Sequence, residues 1–169
     1  AYPWTEEKGF FFRGYVIEGE KCLRGHDAIS FLRGLLSQRE VMDVLHSLDG
    51  MFSMIWKRTN DVLFAVDRLR SLPLFYSVVN GELWVGNDAE ALVRELPEKT
   101  LSSLSEAELL TNLTFISGSH TLIEELSQVQ AGEFCVFDPH TAQMTRRNYY
   151  RFQYGEFYSE TDMASMLAD

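Results

Sequence analysis

Residues 48–92, LDGMFSMIWKRTNDVLFAVDRLRSLPLFYSVVNGELWVGNDAEAL, constrain the fold more tightly than any other part of the chain. Three apolar runs, at 51–56, 62–66 and 74–79, are separated by short polar turns. Their β-branched and aromatic content marks them as strands. MFSMIW and VLFAV are apolar at consecutive positions, and a strand apolar on both sides is normally covered on both faces. This sheet is therefore expected to lie between two layers. Thr59-Asn60-Asp61 turns the first pair, and Asn80-Gly81 signals a type I′ hairpin into 82–85. Asp88 then caps a helix through Leu96, which Pro97 stops. An Asp67-Arg68 pair closes the second strand and is followed by Pro73-Leu74-Phe75-Tyr76, more than a plain meander requires.

The flanking segments add helices and further strands. Residues 10–17 read as a strand, Glu18-Gly19-Glu20 as a turn, and Lys21-Cys22-Leu23 as a short return strand. His26 or Asp27 is placed to cap a helix carrying Ile29, Leu32, Leu35 and Leu36 at helical spacing. Val41, Val44, Leu45 and Leu48 continue as a second helix, ended by Asp49-Gly50. Ser105-Glu106-Ala107-Glu108 has the spacing of a capping box. Residues 121–125 suit a short turn or bridge, and 133–137 with 143–149 form a last hairpin around Asp138-Pro139-His140. Ser159-Glu160-Thr161-Asp162 starts a further helix, so residues 159–169 are expected to lead into a following domain.

Composition excludes several classes. A chain of 169 residues with 46% hydrophobic and 13% aromatic residues is expected to form one well-filled domain. A net charge of −10 argues against nucleic acid as a partner. No apolar run approaches the roughly 20 residues of a membrane span, and no signal peptide is visible, so a cytoplasmic protein without a membrane partner is expected. Cys22 and Cys135 are far apart and read as reduced thiols, Cys135 in a buried strand. His26, His46, His120 and His140 are scattered and show no metal spacing, so no metal site is expected. Asn112-Leu113-Thr114 matches a glycosylation sequon by chance.

Three runs resemble the amino-terminal, glutaminase-type domain of the asparagine synthetase family. Leu48-Asp49-Gly50-Met51-Phe52-Ser53 is similar to its L-x-G-M-F-A, residues 67–76 to its D-R-x-G-x-x-P-L-Y-Y, and Asn87-Asp88-Ala89-Glu90-Ala91-Leu92 to its S-E-x-K-A-L. Weaker matches follow at 115–118, 121–122 and 129–133, and at Tyr149-Tyr150-Arg151-Phe152, while residues 1–47 match poorly. The resemblance implies an α+β, N-terminal-nucleophile-hydrolase-like fold. This is a four-layer αββα sandwich of antiparallel sheets, here truncated at the amino end. It also implies a domain over 1–158, with 159–169 leading into an absent synthetase-like domain that would be its partner. That domain, and not this one, would use ATP and Mg. Assembly into a homodimer is also compatible with it.

The departures bear on activity. Active members use an amino-terminal Cys whose own α-amino group is the base. Here the first residue is Ala1, and an internal Cys has no free α-amino group, so no catalytic residue is assigned. Arg13-Gly14 stands where the family has an Asn-Gly oxyanion segment, and Arg13 would replace the Asn amide. Gly14 and Asp27 are the substrate-binding candidates by resemblance, with Asp27 matching an Asp that binds the substrate amino group. Arg70 occupies a signature glycine, which suggests a rebuilt loop, and Glu90 reverses the charge of a Lys. Asp67, Arg68 and Asp88 are scaffold or domain-junction candidates. For Asp67 and Arg68 the two readings are a salt-bridged strand end and a contact with a following domain. Arg68, Arg70, Arg146 and Arg147 either are solvated or form an anion site.

Three functions remain open. The chain is a glutaminase remnant within an asparagine-synthetase-like, ATP-dependent amide-forming ligase. Alternatively it is a working glutaminase whose nucleophile lies upstream, or a stand-alone binding module sharing the fold.

Overall fold

The computed structural model describes residues 2–111 and 115–152. The sequon at 112–114 and the helix expected from Ser159 lie outside the described residues. The chain opens with strands β1 (Thr5–Glu7), β2 (Phe10–Glu18) and β3 (Lys21–Arg24), then helices α1 (Gly25–Leu36) and α2 (Val41–Ser47). The central run forms β4 (Asp49–Lys57), β5 (Val62–Val66), β6 (Phe75–Val79) and β7 (Glu82–Gly86). Helices α3 (Ala89–Glu95) and α4 (Ser103–Thr111) follow, then β8 (Ser127–Gln128), β9 (Glu133–Asp138) and β10 (Gln143–Asn148).

These strands form two antiparallel sheets. The larger runs β1-β2-β4-β5-β9-β10, with β3 also on β2, and the smaller runs β7-β6-β8. The double-sided apolar pattern of β5 divides between two cores. Leu63 and Ala65 face one built from α1, α2 and the large sheet, with Ile29, Leu32, Val44, Leu45, Phe10, Phe12 and Phe52. Phe64 and Val66 face the other, between the sheets, with Leu74, Tyr76, Val129, Cys135 and Phe137. Side chains alternate across a strand, so Phe75 points away from this second core, toward α3, which packs on β6 and β7. The layers are α1 and α2, the large sheet, the small sheet, and α3: an αββα sandwich, as the resemblance implied. Among the described residues, no helix is long and apolar enough to cross a membrane.

Two glycines let β2 and β4 come together. Tyr15 pairs with Met51. A Cβ on Gly14 would lie 2.0 Å from the Met51 carbonyl oxygen, and one on Gly50 would lie 2.3 Å from the Tyr15 carbonyl oxygen. Both have positive φ, +105° and +140°. The apposition is reciprocal, so neither position admits a side chain without parting the central strands.

Two local expectations are corrected. Helix α1 begins at Gly25 with Arg24 in the capping position and no side-chain cap, so His26 and Asp27 sit inside the first turn. Helix α4 starts before the expected capping box: the Ser102 hydroxyl accepts the Ser105 N–H at 3.4 Å, and Ser105 is buried within the helix. Strand β1 was not anticipated, because Thr5-Glu6-Glu7 has no apolar signal and is recruited by pairing with β2. Arg70 has φ at +56°, the conformation a glycine takes there freely, at a cost of about 1 kcal/mol for a residue with a Cβ.

Two glycine substitutions should move stability in opposite directions. Gly14→Ala is expected to lose more than about 2 kcal/mol by urea unfolding, since backbone must shift to relieve the clash. Gly34→Ala, in α1 with open space around its Cβ position, is expected to gain about 0.5–1 kcal/mol.

Candidate functional site

The most elaborated polar feature is the loop that leaves β5. The Asp67 N–H donates to the Phe52 carbonyl at 3.0 Å, extending the β4–β5 ladder by one residue before the chain turns away. The side chain is 2% exposed, and its carboxylate accepts every bond it makes. Donors are the backbone N–H of Leu69 at 2.9 Å, of Ser71 at 3.0 Å and of Phe52 at 3.2 Å, with the Ser71 hydroxyl at 3.0 Å. The Asp67 carbonyl accepts from Arg70 N–H at 3.0 Å and Gly132 N–H at 3.1 Å. Gly132 in turn accepts from Tyr149 N–H at 2.8 Å, and the buried Tyr149 hydroxyl donates to the Val66 carbonyl at 2.7 Å. Burial and the nearby Asp67 push the Tyr149 hydroxyl pKa up, so it remains a donor across the physiological range. The Asp67 carboxylate thus ties together the end of β5, the middle of β4 and its own loop, and its backbone carbonyl, through Gly132, the strands that follow.

Arg68 faces the other way. Its guanidinium donates to Asp49 Oδ1 at 2.8 Å and to the His46 carbonyl at 2.7 Å, and lies 4.9 Å from the Tyr150 ring centre. His46 Nδ1 donates to the Tyr149 carbonyl at 2.9 Å. Arg68 therefore fastens the end of α2, the start of β4 and the residues after β10. At this strand end the salt bridge runs from Arg68 to Asp49, while Asp67 is satisfied by N–H and hydroxyl donors.

The other candidates are dispersed. Gly14 pairs with Phe52 and faces the same loop, since a Cβ there would come 2.9 Å from Leu72 Cδ1. Asp27 lies exposed in the first turn of α1, without a polar contact among the described residues. Asp88 caps α3 by accepting the Ala91 N–H at 3.0 Å. Glu90, in place of Lys, pairs with Arg94 one turn along. Of the four arginines considered as an anion site, Arg146 and Arg147 line one cavity while Arg68 and Arg70 lie elsewhere. Arg68 is committed to Asp49, Arg146 to the Ser119 hydroxyl, and Arg70 faces a cavity beside α3.

Nucleophiles are poorly served. Cys135 is buried in β9 opposite Phe64, and burial pushes its thiol pKa up, which suppresses the reactive thiolate. Cys22 is exposed on β3 opposite Ile17. Among the described residues, no group of His, Cys, Asp and Glu could hold a metal ion. Ser71, His46 and the Tyr149 hydroxyl complete the polar framework and were not singled out from sequence. Ser71 and Tyr149 lay in runs that drew notice, but the Tyr149 hydroxyl bond to Val66 spans a separation no local pattern reveals.

Asp67→Ala would leave three N–H groups and a hydroxyl without an acceptor in a closed loop. Each buried orphan costs about 1–3 kcal/mol, with some recovered by water. Urea unfolding is therefore expected to register a loss of about 3 kcal/mol or more, against about 1 kcal/mol for the half-exposed Arg68→Ala.

Comparison with known proteins agrees with this geometry. A family model described as a glutamine amidotransferase domain matches residues 34–150, well over half of the chain. No curated protein matches. Among solved structures, the allosteric regulatory enzyme of purine biosynthesis superposes with a TM-score of 0.50 at 10% identity, over 88% of this chain and 30% of that one. Glutamine phosphoribosylpyrophosphate amidotransferase from B. subtilis, complexed with ADP and GMP, gives 0.49 at 10% identity, over 89% and 31%. At such identity the first likeness speaks to the fold alone, and the chain spans about 30% of the length of the structures it matches. With two antiparallel sheets between helical layers and the family model running through both, the chain belongs to the glutamine amidotransferase domains of the N-terminal-nucleophile type.

Proposed function

We propose that this chain is a non-hydrolysing glutaminase-type domain at the amino-terminal side of an asparagine-synthetase-like, ATP-dependent ligase. In that reading a following synthetase-like domain binds ATP and Mg, activates a carboxylate as its acyl-adenylate, and passes it to a nitrogen nucleophile in the cytoplasm. This domain supplies structure to that machine. The order of the runs at 48–53, 67–76 and 87–92 supports the assignment to this branch.

The observation that carries the loss of hydrolysis is the state of Arg13. By resemblance it stands in place of an Asn whose side-chain amide would hold the tetrahedral oxyanion. Its Nε donates instead to the Tyr2 carbonyl at 3.1 Å, and its guanidinium lies 5.9 Å from the Trp4 ring centre. Trp4 is itself anchored, donating from Nε1 to Asn87 Oδ1 at 2.8 Å. The opening segment thus engages Arg13 through its Nε and the Trp4 ring, where the family's Asn would offer a side-chain amide to a substrate carbonyl. Asp27, the candidate for the substrate amino group, faces solvent, and the two cysteines are internal, without the free amine the mechanism uses as base.

The test is direct. The purified protein incubated with L-glutamine is expected to release no glutamate above a protein-free blank, whereas the full-length product should catalyse carboxylate-dependent ATP–pyrophosphate exchange without glutamine. Sustained glutamate release would overturn the non-hydrolysing reading, and absence of exchange across a panel of carboxylates would overturn the ligase.

A further inference from the structure

We propose that the cavity between α3, the Asp67 loop and residues 115–126 binds a small carboxylic acid with an apolar body, whose carboxylate is held by Arg70. The cavity has a volume of about 600 Å³, within the range of roughly 300–1,000 Å³ typical of small-molecule sites. Phe75, Val93, Leu122, Ile123 and Leu126 supply an apolar wall.

Arg70 is the group that gives this wall a chemical preference. It sits at φ +56°, where the family signature has glycine, so its side chain is retained in a backbone conformation that disfavours any side chain. The guanidinium is half-buried in the cavity lining, 5.9 Å from the Phe75 ring centre, and burial lowers its pKa. Arg58, Arg68 and Arg94 each hold a carboxylate, from Asp61, Asp49 and Glu90, but Arg70 has no such partner among the described residues. His120 and Thr121 also line the wall, the Thr121 hydroxyl donating to the Ile123 and Leu126 carbonyls. Glu90 is engaged by Arg94, and the Gln128 amide donates to the Gly118 and His120 carbonyls.

A planar guanidinium beside an aromatic ring offers a fork of donors that matches a carboxylate. Among the described residues Arg70 is the one guanidinium on the wall, and with Glu90 and His120 also lining it the site fits a monoanion better than a doubly charged phosphate. An apolar body then fills the space toward Val93 and Leu126. The site is separate from Arg13 and Gly14, and a glutaminase result in either direction leaves it standing.

The probes are 4-phenylbutyrate and its neutral isostere 4-phenylbutanamide, titrated into the protein by calorimetry or ligand-observed NMR. The acid is expected to bind at least tenfold more tightly than the amide. Arg70→Gln and Arg70→Gly should abolish that preference while leaving amide binding unchanged, and the glycine variant relieves backbone strain, so its fold is secure. Val93→Trp should fill the cavity and weaken both probes. Equal binding of acid and amide, no binding of either, a preference that survives Arg70→Gln, or acid binding unaffected by Val93→Trp would each overturn the proposal.

Discussion

A carboxylate taken out of water must find a full set of donors where it lands, and in this domain that requirement organises the junction between the two sheets. Asp67 sits where β5 leaves the large sheet and the chain crosses to the small one. Four donors from Phe52, Leu69 and Ser71 surround it, and its backbone carbonyl receives Gly132 as β9 approaches. The crossover is thereby set in one conformation, which delivers Leu74 and Tyr76 to the core between the sheets and Phe75 to its outer face. Removing the anion would disturb both sheets at once.

This places the conserved-looking character of the 67–76 run in the architecture. Asp67 closes a loop, Arg68 clamps α2 and β4 to the residues after β10, and Asp88 caps a helix. Such roles are needed whether or not glutamine is hydrolysed. A glutaminase-type fold can therefore carry this signature independently of what stands at Arg13. At Arg70 the backbone takes a left-handed conformation that a glycine would take freely, and the side chain it carries lines a cavity.

Much of the fold was legible in the sequence because it rests on local pattern. The uninterrupted apolar character of VLFAV announced a strand between two cores, and Leu63/Ala65 against Phe64/Val66 divide between them. Asn80-Gly81 turned as its residue types demand, both at positive φ. What escaped depends on distant partners. Strand β1 has no apolar signal and exists through pairing with β2. The Asp67–Arg68 pair suggested a local salt bridge, but which donors reach a carboxylate depends on where Phe52 and Ser71 lie in space. The Tyr149 hydroxyl bond to Val66 and the reciprocal approach of Gly14 and Gly50 are invisible for the same reason.

The central claim is that the Asp67 loop is a rigid part of the core framework. Residue-resolved hydrogen exchange tests it most directly. The amides of Leu69, Ser71 and Gly132 are expected to exchange as slowly as those of Met54 and Phe64 in the central strands, opening only with global unfolding. Exchange of Leu69 and Ser71 orders of magnitude faster than the strands, while Met54 and Phe64 remain protected, would contradict it.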